Sequence, residues 1–249
     1  MNAPRLLLVL LALSCALLII TGVPSDFIEG VPRSWKYLSR LGHPSPDGWQ
    51  RITKSIAQTL FMSFCGTTLA MISAIPLSYF ATSGLSNRPC YFASRLILTF
   101  LRSIPMIILG IFFVATLGLG VTAGIMSLWL HSTGVFGKYL SEFLEATDPT
   151  LLDAASIDGA STWQCFWYIL LPVEINELLT LLLYYYEANF RGAAVLGFVG
   201  AGGIGMEMAA AVGSFDYGRV SFVIILIVAT DVVIDFLSRL LRAKALEDL

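Results

Sequence analysis

Charged side chains are scarce in this 249-residue chain, at 13% against 57% hydrophobic residues. A soluble domain carries about a quarter charged residues, because its surface must face water. A chain this poor in charge cannot cover a soluble surface, so most of its exterior must face lipid. The formal net charge of −2 excludes a general role in binding nucleic acid, which needs an excess of Lys and Arg. Cysteine is sparse as well. Cys15, Cys65, Cys90 and Cys165 are scattered, no two at a metal-ligand spacing, and the two histidines, His43 and His131, stand apart. No disulfide framework, zinc site or redox motif is suggested, and the cysteines read as small apolar fillers.

Nucleotide motifs are missing too. Gly200-Ala201-Gly202-Gly203-Ile204-Gly205 satisfies G-x-G-x-x-G. That fingerprint, however, follows a buried strand and precedes an acidic residue about 20 positions on. Here an apolar run precedes it, and Ile224-Ile225-Leu226-Ile227 stands where the acid should be. Gly134-Val135-Phe136-Gly137-Lys138-Tyr139 has too few residues between its glycines for a P-loop, and Tyr139 replaces the magnesium-binding Ser or Thr. The chain is therefore expected to bind no cofactor or metal, to carry no catalytic residues, and not to be an enzyme.

Long apolar runs are what the sequence does have. A membrane-spanning helix needs about 20 mostly apolar residues. The first run, 6–23, follows Arg5 and continues well past Cys15, which favours a retained span over a cleaved signal peptide. Residues 24–54, with Pro24, Pro32, Pro44 and Pro46, read as an extracytoplasmic connection lying partly on the membrane surface. Further spans are expected at Ser55–Ala81, Leu96–Leu119, Val121–Leu140, Val173–Val199 and Arg219–Leu237, followed by a cytoplasmic tail, 241–249. The fold class is thus all-α: a polytopic membrane protein of about six transmembrane helices, with its core at 55–240. An N-terminus inside gathers Arg5, Arg88, Arg95, Lys138, Arg239, Arg242 and Lys244 on the cytoplasmic side, against Arg33, Lys36, Arg40, Arg51 and Lys54 outside. The asymmetry is small, so orientation rests more on the next feature.

Glu145 to Pro172 is a polar break between spans. Asp148 or Thr150 is placed to cap a short helix, and Gly159 to end it in a left-handed turn. Trp163, Phe166, Trp167 and Tyr168 then suit a second short helix at the membrane interface, and Pro172 suits the start of the next span. The stretch Asp153-Ala154-Ala155-Ser156-Ile157-Asp158-Gly159-Ala160, followed after eight residues by Ile169-Leu170-Leu171-Pro172, resembles the cytoplasmic coupling loop of importer-type ABC permeases. That family usually opens the loop with Glu; Asp153 keeps the charge on a shorter side chain. The resemblance implies a type I ABC importer permease fold. It also implies that Asp153, Ala154, Ala155, Asp158, Gly159 and Ala160 meet a cytosolic ABC ATPase dimer, which holds the ATP and magnesium. The loop, and with it both termini, would lie in the cytoplasm.

Two further features bear on transport. The glycines of Gly197-Phe198-Val199-Gly200-Ala201-Gly202-Gly203-Ile204-Gly205 are too dense for a straight helix and admit two readings, a gate or hinge, and close helix packing. Asn176, Thr180, Tyr184, Glu187 and Arg191 share one helical face, where Glu187 and Arg191 are spaced to pair across one turn. Arg102 and His131 are weaker pathway candidates, a hydrogen-bonded packing role being the plainer reading of His131. The stretch from Glu187 through Arg191 to Gly205 resembles the phosphonate-type branch of these permeases. Arg102-Ser103-Ile104-Pro105, Gly118-Leu119-Gly120, Leu130-His131 and Ser214-Phe215-Asp216-Tyr217 agree with it, while Met106 departs from an acidic residue often found there.

The resemblance spans about residues 55–240. It implies binding-protein-dependent import of a phosphonate or a reduced phosphorus oxyanion, such as phosphite or hypophosphite, across a bacterial inner membrane. The partners implied are the ATPase dimer, a second permease subunit (identical or not), a periplasmic or lipid-anchored substrate-binding protein, and membrane lipid. Competing readings are a methionine-type permease, which shares the glycine-rich stretch, an ion-gradient-driven transporter, and an intramembrane enzyme.

Overall fold

A computed structural model describes residue 16 and residues 23–157 and 159–247. Apart from residues 16 and 23, the expected span at 6–23 lies outside the described residues. Among those described, the regular structure is helical: α1 (Val23–Leu41), α2 (Trp49–Ala81), α3 (Arg88–Ser103), α4 (Met106–Leu117), α5 (Val121–Ala146), α6 (Pro149–Ile157), α7 (Thr162–Cys165), α8 (Ile175–Phe198), α9 (Gly203–Gly213) and α10 (Tyr217–Glu247). A π turn (Phe166–Leu170) and one further turn (Leu171–Val173) continue α7 towards α8.

Trp49–Ala81 and Tyr217–Ala243 are each long and apolar enough to cross a membrane by length and composition. Two broken pairs also qualify, Arg88–Ser103 with Met106–Leu117, bent by 86°, and Thr162–Val173 with Ile175–Phe198, bent by 67°. The first break falls inside the stretch expected as one span, Leu96–Leu119. Its cause is Pro105, which lacks an N–H and pushes Ile104 into an extended conformation, at φ −78° and ψ 118°. Helix α5 has 26 residues but a less apolar run, and its polar groups Ser127, Ser132 and Thr133 are buried. Residues 23–41, nearly all of them expected within an extracytoplasmic connection lying partly on the membrane surface, form a helix that takes Pro24 into its first turn.

The core is built along α2, whose 33 residues reach about 50 Å at 1.5 Å per residue. Ala70, Phe136, Leu140, Phe166 and Leu170 pack near its C-terminal end. Met62, Leu128, Ala193 and Leu196 fill the middle, and Ile52, Ala194, Ile204 and Val223 close the other end. Small residues let these helices approach closely. A Cβ on Gly134 of α5 would stand 2.6 Å from the Arg102 amide nitrogen of α3. A buried polar staple crosses the same core: Asn189 Nδ2 donates to Thr67 Oγ1 at 2.8 Å and to Ser132 Oγ at 3.0 Å, joining α8 to α2 and α5. Each group is satisfied inside the bundle, as an apolar surround requires.

Candidate functional site

The polar loop is a rigid piece fixed to one end of the bundle. Asp148 Oδ1 accepts from the Thr150 amide at 2.9 Å and starts α6; this bond holds the Asp148 carboxyl below its ordinary value. Gly159 ends α6 at φ 81°, and the Ala160 amide reaches back to the Ala155 carbonyl at 3.1 Å, a Schellman closure. Ser161 and Gln164 then form a capping box that begins α7.

Aromatic packing carries the attachment inward. Tyr79 of α2 lies 4.8 Å from the Trp163 ring centroid and 5.3 Å from that of Phe166, and its hydroxyl meets Thr162 Oγ1 at 2.9 Å. Phe166 is buried in the core. At the base of the loop, Thr147 Oγ1 donates to Glu174 Oε1 at 2.7 Å, linking the end of α5 to the start of α8. On α6 itself, Ala155 and Leu152 face the core, Asp153 and Ala154 are exposed, and Ile157 is 85% exposed. Gly159 is exposed and Ala160 half-buried, while Asp158 lies outside the described residues.

The polar stripe of α8 continues onto α10. Arg191 Nη1 donates to Glu187 Oε1 at 2.7 Å, as the four-residue spacing implies, and to both oxygens of Asp231 at 3.1 Å. Asp231 is not among the candidates read from the sequence, where its signal is that of one of two acids, with Asp235, within the apolar run of the last span. The Arg191 side chain is 46% exposed on the surface of this chain. Lower on the same helix, Thr180 and Tyr184 border a cleft of about 210 Å³ with Phe143, Glu177, Leu181 and Arg242. Asn176 turns its Oδ1 into the protein without a hydrogen-bond partner.

The other two pathway candidates separate. Arg102 is exposed and has no ion-pair partner among the described residues. His131 Nδ1 sits 3.1 Å from the Ile104 carbonyl, so that nitrogen carries the donated hydrogen and satisfies a carbonyl freed by the Pro105 bend.

The glycines divide by role. Gly200, Gly202 and Gly203 have φ of 99°, 82° and 69° and turn the chain from α8 into α9. Gly197 and Gly205 are contact residues: a Cβ on Gly197 would lie 2.6 Å from Gly205 Cα and 2.7 Å from the Gly202 carbonyl oxygen. The turn is covered by protein, with Ala201 buried, Gly120 N–H donating to the Gly200 carbonyl at 3.0 Å, and Ile204 N–H donating to Thr59 Oγ1 at 2.8 Å. Thr59 lies ten residues into α2, about 15 Å along its axis. Irregular backbone at that depth is tolerated because protein surrounds it.

A second ion cluster closes the bundle at the end far from α6. Glu207 of α9 is almost fully buried and accepts from Arg51 Nε at 2.6 Å and from Arg219 Nη2. It draws together the starts of α2 and α10, about 40 Å along α2 from Tyr79. Its only trace in the sequence is an acid two residues after Gly205, the last glycine of the dense segment.

A helical bundle with broken spans, buried glycine turns at membrane depth and one rigid polar loop defines a multi-pass membrane permease. Residues 66–246 match the family described as binding-protein-dependent transport system inner membrane component. The chain belongs to that family, and so is a multi-pass inner-membrane subunit of an importer and not a catalytic enzyme. It is 32% identical over 219 residues to the phosphite transport system permease protein PtxC of Stutzerimonas stutzeri, covering 88% of this chain and 80% of that one. It is 33% identical over 198 residues to the phosphate-import permease protein PhnE of Mycolicibacterium smegmatis, covering 79% of this chain but 37% of the longer relative. Among solved structures it resembles a chain of the MetNI methionine ABC transporter in an inward-facing conformation. That match has a TM-score of 0.70 and 23% identity, over 80% of this chain and 98% of the other, and it speaks to the fold alone.

Proposed function

We propose that this chain is the permease subunit of an ATP-driven importer for a small phosphorus oxyanion, a phosphonate or a reduced species such as phosphite or hypophosphite. The observation that carries the coupling is the form of α6. It is a short helix closed at both ends and fixed to the core through Ala155, Leu152 and Phe166, yet it presents Ile157 outward at 85% exposure. A connector between spans has no need of such rigidity, whereas a handle for a motor subunit does. In this reading Asp153, Ala154, Ala155, Asp158, Gly159 and Ala160 meet a cytosolic ATPase that binds the ATP and magnesium. The loop and both termini are then cytoplasmic.

Force on α6 passes through Tyr79 into α2 and through the π turn into α8, the helix that carries Glu187 and Arg191 and ends in the glycine turn. An oxyanion cannot cross hydrocarbon bare, since desolvating it costs on the order of tens of kcal/mol. Arg191, held between Glu187 and Asp231 on an open face, marks where a polar path runs, and a second permease subunit completes its wall. A substrate-binding protein delivers the anion at the end carrying Glu207. The Stutzerimonas relative is a phosphite permease and the Mycolicibacterium relative a phosphate-import permease, which supports a phosphorus oxyanion.

Uptake by the reconstituted transporter tests this. Phosphonate, phosphite or hypophosphite should enter only with ATP and binding protein; competition by methionine, or dependence on an ion gradient without ATP, refutes the reading. Gly159→Val should leave the protein in the membrane and ATP hydrolysis measurable while uptake is lost, because a β-branched residue resists φ 81°. Unchanged uptake removes the handle.

A further inference from the structure

The transport reading makes no use of α1. Val31, Trp35 and Leu38 on this helix are 52%, 72% and 58% exposed. Their spacings of four and three residues put them on one face, and Lys36 and Arg40 fall on the opposite one. The C-terminal end of α1, by contrast, is firmly held. Ser221 Oγ donates to the Leu41 carbonyl at 2.5 Å, the Ser45 amide donates to the Gly218 carbonyl at 3.0 Å, and the Arg40 guanidinium lies 5.4 Å from the Tyr217 ring centroid.

Tyr217, Gly218 and Ser221 form the first turns of α10, the more apolar of the two single helices able to cross a membrane. Just beyond them α10 exposes Ile224, Ile225 and Val228, the beginning of a lipid-facing surface. Helix α1 therefore leaves the bundle at the level where α10 enters the bilayer. A helix at that level, with a tryptophan and two aliphatic side chains on one face and two cations on the other, matches the chemistry of the headgroup region. Apolar groups reach the acyl boundary there, indole favours the interface, and Lys and Arg extend into the headgroups.

We propose that α1 lies along the bilayer surface as a lipid-bound strut, its Val31–Trp35–Leu38 face seated in phospholipid. It would steady the start of α10 and, with it, Arg219 in the Glu207 cluster. The inference needs only the membrane-protein fold, and neither substrate nor ATPase enters it.

The test uses the full chain in phospholipid vesicles, with nitroxide labels on Val31→Cys, Trp35→Cys and Leu38→Cys, and on Lys36→Cys and Arg40→Cys opposite. Collisions with oxygen relative to a water-soluble nickel chelate should be high at the first three positions and low at the other two. The first three labels should lie about 5–10 Å below the phosphates. Aqueous values at every position overturn the proposal. So does shielding of positions 31, 35 and 38 from both reagents, which would mean that a second copy or another protein covers them. The labelling requires replacing the four native cysteines, so the unaltered chain supplies a second reading. Trp35→Phe should remove a fluorescence component that lipids brominated near the headgroup quench and aqueous iodide does not. A component quenched by iodide alone also overturns the proposal.

Discussion

Gly205→Ala is the sharpest probe of the glycine segment, because the structure fixes what one added methyl would meet. The new Cβ would collide with the carbonyl oxygen of Ala194 and lie 2.8 Å from Gly197 Cα and 3.0 Å from the Ala194 carbonyl carbon. Carbon atoms in contact sit about 3.5–4.0 Å apart, so α8 and α9 must part by about 1 Å, and a gap of that size forfeits a quarter to a half of each dispersion contact across the seam. All three neighbours are backbone atoms, which cannot swing aside. Overpacking of this kind costs about 1–3 kcal/mol, and the upper half of that range applies here. Alanine recovers about 0.5–1 kcal/mol of the entropy that glycine loses in a helix. The net loss is about 2 kcal/mol, or about 30-fold in the folding equilibrium. Gly213→Ala is the control, since nothing lies within 4 Å of its added Cβ and its φ is not positive. Equilibrium unfolding in mixed micelles, followed by tryptophan fluorescence, should show the first variant less stable and the second unchanged or slightly more stable. Equal behaviour of the two variants would refute the packed seam.

Glu207→Ala leaves Arg219 beside an empty, nearly buried position; breaking a buried pair costs about 3–5 kcal/mol, and the exposure of Arg51 puts this case at the lower end, measured by the same unfolding assay. Arg51→Ala, at a side chain 69% exposed, should cost no more than about 1 kcal/mol. Arg191→Ala leaves Glu187 and Asp231 without their shared cation; uptake per assembled transporter should fall by about tenfold, equivalent to ~1.4 kcal/mol, and Asp231→Asn in the same chain should restore part of it. Asp148→Ala should speed amide exchange at Thr150 and loosen the start of α6. Because the Thr150 amide holds the folded carboxyl below its ordinary value of 3.8, the bond's contribution is complete above that pH and is lost as pH falls below it. In the native chain, Thr150 protection, corrected for intrinsic exchange rates, should therefore persist at neutral pH and fall only below that value.

The parts of the fold that were legible in the sequence are those decided within a few residues. Asp148 acts on a backbone group two positions away and Gly159 through its own φ, so the helix–turn–helix of the polar loop is written locally. The Glu187–Arg191 pair is local for the same reason. The glycine segment was half legible: its density announced an irregular backbone, but only the packing of α9 on α8 assigns Gly200, Gly202 and Gly203 to the turn and Gly197 and Gly205 to the contact. What escaped depends on distant partners or on direction. Asp231 lies 40 positions from Arg191, and Arg51 lies 156 from Glu207, separations that no helical period encodes. Pro105 was in plain view, yet apolar composition carries no information about axis direction, and one expected span became two helices bent by 86°.

The distribution of ion clusters places the unfinished side of the molecule. At the α6 end, Arg95 Nη2 meets Glu145 Oε2 at 2.5 Å, and Glu145 Oε1 accepts from the Ser83 amide at 2.9 Å. At the far end, Glu207 gathers Arg51 and Arg219. Clusters at the ends of a bundle border water, where solvent offsets much of the cost of charge. The Arg191 cluster borders neither end. It sits midway along α10, fourteen residues after Tyr217, or about 21 Å along the helix axis. Two carboxylates sharing one guanidinium, with that guanidinium 46% exposed, cannot face hydrocarbon at such a depth. Water or protein must cover that face, and no other described segment of this chain does so. The chain is in this sense open on one side, which agrees with its membership of a family described as one component of a transport system.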